Sequence, residues 1–158
     1  MKTLICTLIS LAVCLFLSSC GDDHHHHGES HHHEAPHGGT LVELGEHGTG
    51  FNLEVVHNAE TGDLAIHVYD GHASNPVRIK QESIVIAITA PGEYEAALAA
   101  VANPAYEESI GDTSFFEAKG ALPGVKEFEG SVKSVTIKGK SFENIAFSYP
   151  AENDHHED

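Results

Sequence analysis

The clearest structural signal in the chain is the stretch FNLEVVHNAETGDLAIHVYD, residues 51–70. Apolar and polar residues alternate on both sides of a turn-forming segment, as they do in strands with one buried face. Pairing Asn58 with Asp63 across a four-residue loop aligns Val55 with Ile66. The sequence therefore predicts an antiparallel hairpin whose apolar face covers a core.

The opposite face of this hairpin is predominantly polar. The predicted register sets Glu54 directly opposite His67. A carboxylate beside an imidazole can bind a metal ion, or can support a residue that does. The alternative is an ordinary exposed cross-strand pair.

Similar short runs, rich in Val, Ile, Phe and Tyr and separated by Gly, Asn, Asp and Pro, continue along the chain. They predict an all-β domain, either a β-sandwich or a barrel-like sheet, of about nine short strands. Residues 93–102 are rich in alanine and could form a helix, but the alternation of larger and smaller side chains favours a strand. The predicted strands are residues 40–44, 51–57, 63–70, 77–80, 83–89, 94–101, 114–118, 131–137 and 142–149.

The beginning of the chain has the features of an export signal. Lys2 is followed by an apolar stretch without charged residues and then by Leu17-Ser18-Ser19-Cys20. The apolar run is shorter than the ~20 residues of a spanning helix. The pattern resembles the bacterial lipoprotein signal, which implies removal of residues 1–19 and attachment of lipid to Cys20. We therefore expect a lipid-anchored protein of the cell envelope that faces the periplasm or the exterior, and the glycine after the cysteine resembles the outer-membrane pattern.

The cysteines limit the available chemistry. Cys6 and Cys14 lie in the segment expected to be removed, which leaves Cys20, either lipidated or, after an ordinary secretory cleavage, as a free thiol. An intramolecular disulfide and a Cys-based zinc site are thus excluded from the mature chain. Any metal site must use His, Asp, Glu or backbone groups.

The formal net charge of −16 excludes another class of partner. Loss of Lys2 with the signal segment makes the mature chain one unit more negative. Such a surface repels nucleic acid and attracts cations. We therefore expect no nucleic-acid binding.

Two polar segments flank the predicted β-domain, which we assign to residues 37–150. Residues 20–36 are dominated by His, Asp, Glu, Gly and Ser, and residues 151–158 form an acidic tail that carries His155 and His156. Neither has enough apolar surface to offset the entropy of folding. We expect a flexible N-terminal tether and a disordered tail.

The tether is unusually dense in histidine. Neutral imidazole is the commonest nitrogen ligand of Zn, Ni, Cu and Co ions, and a flexible chain can adopt the geometry that each prefers. The alternatives are a purification tag, a solubilising spacer or a pH-responsive linker. The predicted ligands in this region are His24, His25, His26, His27, His31, His32, His33 and His37.

The junction of tether and domain carries the motif His37-Gly38-Gly39, followed by the first two predicted strands. Here the chain resembles uncharacterised exported bacterial domains that begin with an HGG motif, some similar to segments found near heavy-metal efflux components. The resemblance covers about residues 36–79 and implies metal handling.

A folded metal site is the sharpest hypothesis for the domain itself. If Leu44 pairs with Phe51, His37 reaches the same face as Glu54 and His67. We predict a site of His37, Glu54 and His67, with His72 as a further candidate from the following loop.

The residues indicate a binding protein rather than an enzyme. The sequence has no GxSxG or Walker motif. We expect a lipid-anchored protein that binds transition-metal ions as buffer, scavenger or donor, possibly with a metal-transport partner. The alternative is an envelope interaction module that docks to another protein and whose His-rich arm is a spacer.

The anchor can be tested directly. We expect Cys20→Ser to release the protein into the soluble envelope fraction or the medium, because the substituted chain cannot receive lipid. Membrane fractionation with an antibody to the protein measures this. A Cys20→Ser protein that stays on the membrane after loss of its signal segment would show that the anchor lies elsewhere.

Overall fold

The computed structural model describes residues 33–151. These residues form a single antiparallel sheet of eight strands, which curls into a nearly closed, barrel-like structure. The prediction of an all-β domain is confirmed. The predicted signal segment, Cys20, most of the tether and residues 152–158 lie outside the described residues.

The eight strands follow one another through connections that range from the tight β7–β8 turn to the long segment between β5 and β6. A single 3₁₀ turn, Pro104–Tyr106, lies between the fifth and sixth strands. The strands are β1 Thr40–Leu44, β2 Phe51–Asn58, β3 Asp63–Asp70, β4 Ser83–Ala90, β5 Tyr94–Ala100, β6 Phe115–Ala118, β7 Phe128–Ile137 and β8 Lys140–Tyr149.

The order across the sheet is β1-β2-β3-β6-β5-β4-β7-β8. The outermost strands, β1 and β8, approach each other. The backbone N–H of Ala151, just after β8, donates a hydrogen bond of 2.9 Å to the Thr40 hydroxyl at the start of β1. The two edges of the sheet are thereby tied together, which limits the exposure of unpaired strand edges.

The predicted hairpin register is correct. Asn58 pairs with Asp63, and Glu54 lies opposite His67. Leu44 pairs with Phe51, as expected for the hairpin of β1 and β2.

The β7–β8 hairpin uses a two-residue loop, Lys138-Gly139, in which both residues have positive φ angles of 49° and 82°. This is the turn whose twist matches that of the flanking strands, and it requires residues that tolerate the left-handed region.

The predicted strand at residues 77–80 is wrong. Val77 and Ile79 are buried, and Arg78 and Lys80 are exposed, so the alternation itself is real. The segment makes only one isolated bridge there, between Ile79 and Thr113. The alternating pattern therefore arises because an extended segment buries every second side chain. It does not arise from pairing with a neighbouring strand.

The alanine-rich segment forms strand β5, as favoured. Ala96 and Leu98 are buried and lie opposite Ile86 and Ile84 of β4. The apolar faces of the strands together enclose one core, in which Phe116 is the largest fully buried side chain.

The core predicts a specific loss of stability. We expect Phe116→Ala to reduce the free energy of unfolding by about 3–5 kcal/mol, because it leaves a cavity that the sheet cannot fill. The matched control is Ile110→Ala, since the Ile110 side chain is 57% exposed. Urea denaturation of both variants measures the difference, and equal losses would contradict the central place of Phe116 in the core.

Candidate metal-binding site

The centre of the candidate site is a buried carboxylate. Glu54 has no exposed surface, although it lies on the face of β2 that is turned away from the core. One carboxylate oxygen accepts hydrogen bonds from the backbone N–H groups of His37, at 2.6 Å, and Gly39, at 3.1 Å. The other lies 2.8 Å from Nδ1 of the His37 imidazole. Three hydrogen bonds thus compensate the loss of water around this charge.

The two glycines of the HGG motif explain how these contacts form. Gly38 has a φ angle of +70°, which other residues adopt with strain, and this turn directs the N–H groups on either side of it toward the same oxygen. A Cβ atom on Gly39 would lie 2.3 Å from the carbonyl oxygen of Val55. Gly39 therefore allows the chain to pass directly against β2.

The hydrogen bond that Nδ1 of His37 donates to Glu54 orients the His37 ring. A carboxylate on Nδ1 selects the tautomer with its proton on that nitrogen, and leaves the lone pair of Nε2 available to a ligand. The tyrosine hydroxyl of Tyr69 lies 3.3 Å from the same Nδ1. The His37 side chain is 47% exposed, so a metal ion can reach it.

The imidazole of His67 forms the middle of a column of rings. It stacks on His37 with ring centres 3.9 Å apart and planes at 12°, and on Phe115 at 4.6 Å and 26°. Burial in this column is the main cause that lowers the pKa of His67 to about 4. The nearby His37 lowers it further, whereas the charge of Glu54 acts in the opposite direction. His67 is therefore neutral at physiological pH.

Tyr69 completes the surroundings of the carboxylate. Its side chain is buried, and burial raises the pKa of the phenol, with a further contribution from the charge of Glu54. The hydroxyl therefore keeps its proton across the physiological range.

A cavity of about 530 Å³ opens beside the column. His37, His67 and Phe115 line one part, and Arg78 and Tyr106 line another. The Arg78 guanidinium is held by the carbonyl of Tyr106 and by Asp112, at 3.3 Å. The exposed edge of His37 therefore faces a space large enough for an ion and its remaining ligands.

The structure brings together three of the four residues predicted for the folded site: His37, Glu54 and His67. The fourth, His72, instead lies against His33, with ring centres 5.3 Å apart. Glu54 is not the exposed partner of His67 that the alternative hypothesis required. The predicted arm ligands His24, His25, His26, His27, His31 and His32 lie outside the described residues.

These residues are not a preformed ligand set. Among the described residues, no three His, Cys, Asp or Glu side chains are arranged to hold a metal ion. The lone pairs of imidazole lie in the ring plane, so the stacked rings of His37 and His67 do not point at a common ion. In this geometry Glu54 orients the His37 ring, His67 stacks against it, and the side chain of His37 remains open to a ligand.

The sequence alone did not assign roles to Tyr69 and Phe115. Tyr69 could have been found, because it lies two residues after His67 and so shares its face of the strand. Phe115 gave no such signal, since its contact with His67 depends on the pairing of β3 with β6.

Comparisons with protein-family models, with curated proteins and with solved structures gave no match. In residues 33–151 there is no helix of the length and apolar character that crossing a membrane requires. The function is therefore inferred from the geometry of the site.

The low pKa of His67 makes stability depend on pH. Between about pH 6.5 and pH 4 the unfolded chain binds a proton at this position that the folded chain does not, so acidification through this range reduces the free energy of unfolding. We expect His67→Phe to remove this part of the dependence while keeping the stack between His37 and Phe115. Urea denaturation across the range, with a chelator present, compares the two proteins. If the free energies of unfolding of the two proteins changed with pH in parallel, the lowered pKa of His67 would be contradicted.

Proposed function

We propose that this chain is a lipid-anchored extracytoplasmic protein that binds transition-metal ions of the Zn, Ni, Cu and Co group. It acts as a buffer, scavenger or donor at the cell envelope, and metal-transport proteins are the expected partners. The observation that carries the proposal is the buried Glu54 carboxylate on Nδ1 of His37, at the point where the His-rich tract joins the domain.

The pairing of a carboxylate with one imidazole nitrogen is the usual arrangement behind a metal-bound histidine. It fixes the tautomer, aligns the ring and raises the basicity of the nitrogen that binds the ion. Here it turns His37 into one oriented ligand beside a tract of histidines that can supply the others. A single ordered nitrogen reduces the entropy that the arm must lose when it closes on an ion.

The distribution of charge supports the same function. The formal net charge of −16 raises the local concentration of cations near the domain. Carboxylates alone favour hard ions such as Ca²⁺, whereas imidazole favours the later transition metals. The two together attract cations broadly and retain those that prefer nitrogen.

The rival proposal is an interaction module of the envelope whose arm is only a spacer. Two exposed apolar side chains, Tyr106 and Ile110, lie in one loop of the domain and would suit a contact with another protein. This proposal requires no metal binding, which separates it from the first.

Metal binding to the mature chain, purified in its Cys20→Ser form, tests the function. We expect calorimetry with Zn or Ni ions to show several bound ions, most of them lost when His24, His25, His26, His27, His31 and His32 are replaced by Gln. We expect Glu54→Gln to weaken the tightest step by about 10–100-fold. The Gln amide donates toward Nδ1 of His37, which moves the ring proton to Nε2 and removes the lone pair.

The matched control is Glu60→Gln, which removes the same charge from an exposed position. It should leave the tightest step unchanged. A mature chain that binds neither ion would overturn the proposal in favour of the spacer. Equal affinities for the Glu54→Gln and Glu60→Gln proteins would remove His37 from the site.

A further inference from the structure

A second group of histidines lies at the end of the barrel where β1 joins β2. His33 comes from the last part of the tether, His47 from the β1–β2 loop and His72 from the loop that follows β3. The ring centres of His33 and His47 are 5.0 Å apart, and those of His33 and His72 are 5.3 Å apart. Three segments of the chain thus place three imidazoles side by side.

Glycines allow the two loops of this cluster to touch through their backbones. A Cβ atom on Gly71 would lie 2.6 Å from the carbonyl carbon of Gly48. A Cβ atom on Gly48 would lie 3.3 Å from Cε1 of His72. The loops could not approach as closely with larger residues, so the proximity of His47 and His72 is built into the backbone.

The turn that carries His72 is held by Asp70. Its carboxylate accepts hydrogen bonds from the backbone N–H groups of Ser74, at 2.9 Å, and Asn75, at 3.3 Å, and from the Asn75 side chain at 2.6 Å. Phe51 at the start of β2 pairs with Asp70 at the end of β3. The sheet therefore fixes the two loops relative to each other.

Two ring nitrogens in the cluster are suited to a ligand. Nδ1 of His47 lies 2.9 Å from a carboxylate oxygen of Glu43, which favours a proton on Nδ1 and leaves Nε2 free to coordinate. Nε2 of His33 is buried and has no hydrogen-bond partner in the described part of the chain. A buried polar atom without a partner is costly, and coordination of an ion would satisfy it.

The spacing also fits a metal ion. Two imidazoles on one tetrahedral zinc ion have ring centres about 5 Å apart, because each nitrogen lies about 2.0–2.1 Å from the metal. The rings of His33 and His47 are stacked, with planes at 18°, so their nitrogens meet at one ion only after the side chains rotate. His47 and His72 are exposed, so their side chains can turn until three nitrogens meet at one point.

We propose that His33, His47 and His72 turn toward a zinc-like transition-metal ion and bind it together, at a site separate from His37. This inference deepens the proposed function and rests on it. Three protein nitrogens leave the fourth position of a tetrahedral ion open to water, as in sites that exchange or activate a ligand. Binding would also fasten the end of the tether to the loops of the barrel.

The test uses the mature Cys20→Ser chain in which His24, His25, His26, His27, His31 and His32 are replaced by Gln. Calorimetry with zinc chloride should show about one ordered zinc ion per chain, and zinc should raise the Tm of the protein. We expect His47→Gln and His72→Gln each to abolish this ion and the increase in Tm. Glu54→Gln should leave both in place, because it acts on His37.

The matched control is His57→Gln. The imidazole of His57 bonds the carbonyl of Leu122 at 3.0 Å and belongs to neither group of histidines. The Tm of each metal-free variant shows whether it folds. Zinc stoichiometry that is unchanged in both His47→Gln and His72→Gln, or no ordered zinc in the starting protein, would overturn this inference. The proposed function would still stand if the chain with its intact arm binds metal.

Discussion

The structure around the HGG motif depends on one buried charge, the carboxylate of Glu54, which has no exposed surface. Glu54 would cost several kcal/mol if it were buried without partners. Its partners are supplied by the segment that precedes β1, through two backbone N–H groups and one imidazole. The path of the HGG motif over β2 is thus determined by the need to satisfy one charge.

A glutamate carboxylate bound to Nδ1 of a histidine occurs twice in the described part of the chain, in different surroundings. Glu54 holds Nδ1 of His37 from a buried position, and Glu43 holds Nδ1 of His47 with both side chains about half exposed. The carboxylate of the buried pair is shielded from water, which strengthens its hydrogen bonds. The exposed pair is weaker and can adjust, as a surface ion pair does. The two carboxylate-held imidazoles therefore differ in how strongly they are held.

Local patterns were sufficient to predict the hairpin of β2 and β3 and with it the pairing of Glu54 and His67. Their spacing is set by one short loop, so a wrong register would have exposed Val55 and Ile66. The burial of Glu54 could not be predicted in this way. It depends on the segment before β1, which crosses the outer face of the sheet and covers Glu54. The alternation of residues in β2 gives no indication of this segment.

The other features that the sequence did not predict correctly have related physical causes. The segment at Val77 and Ile79 alternates like a strand, but alternation shows only which side chains are buried, and ladder pairing needs a continuous neighbour. Phe115 reaches His67 because β6 pairs with β3, a contact between distant parts of the chain. The loops that carry His47 and His72 meet through Gly48 and Gly71. Glycine is common in turns of every kind, so its presence in two loops does not indicate that they touch.

The hydrogen bond between Ala151 and Thr40 has a consequence for the two ends of the chain. It fastens the last residue described by the structure to the strand that directly follows the HGG motif. His155 is four residues beyond Ala151, and a fully extended chain of that length spans at most about 14 Å. The closing of the sheet therefore keeps the point where the chain leaves β8 beside the start of β1.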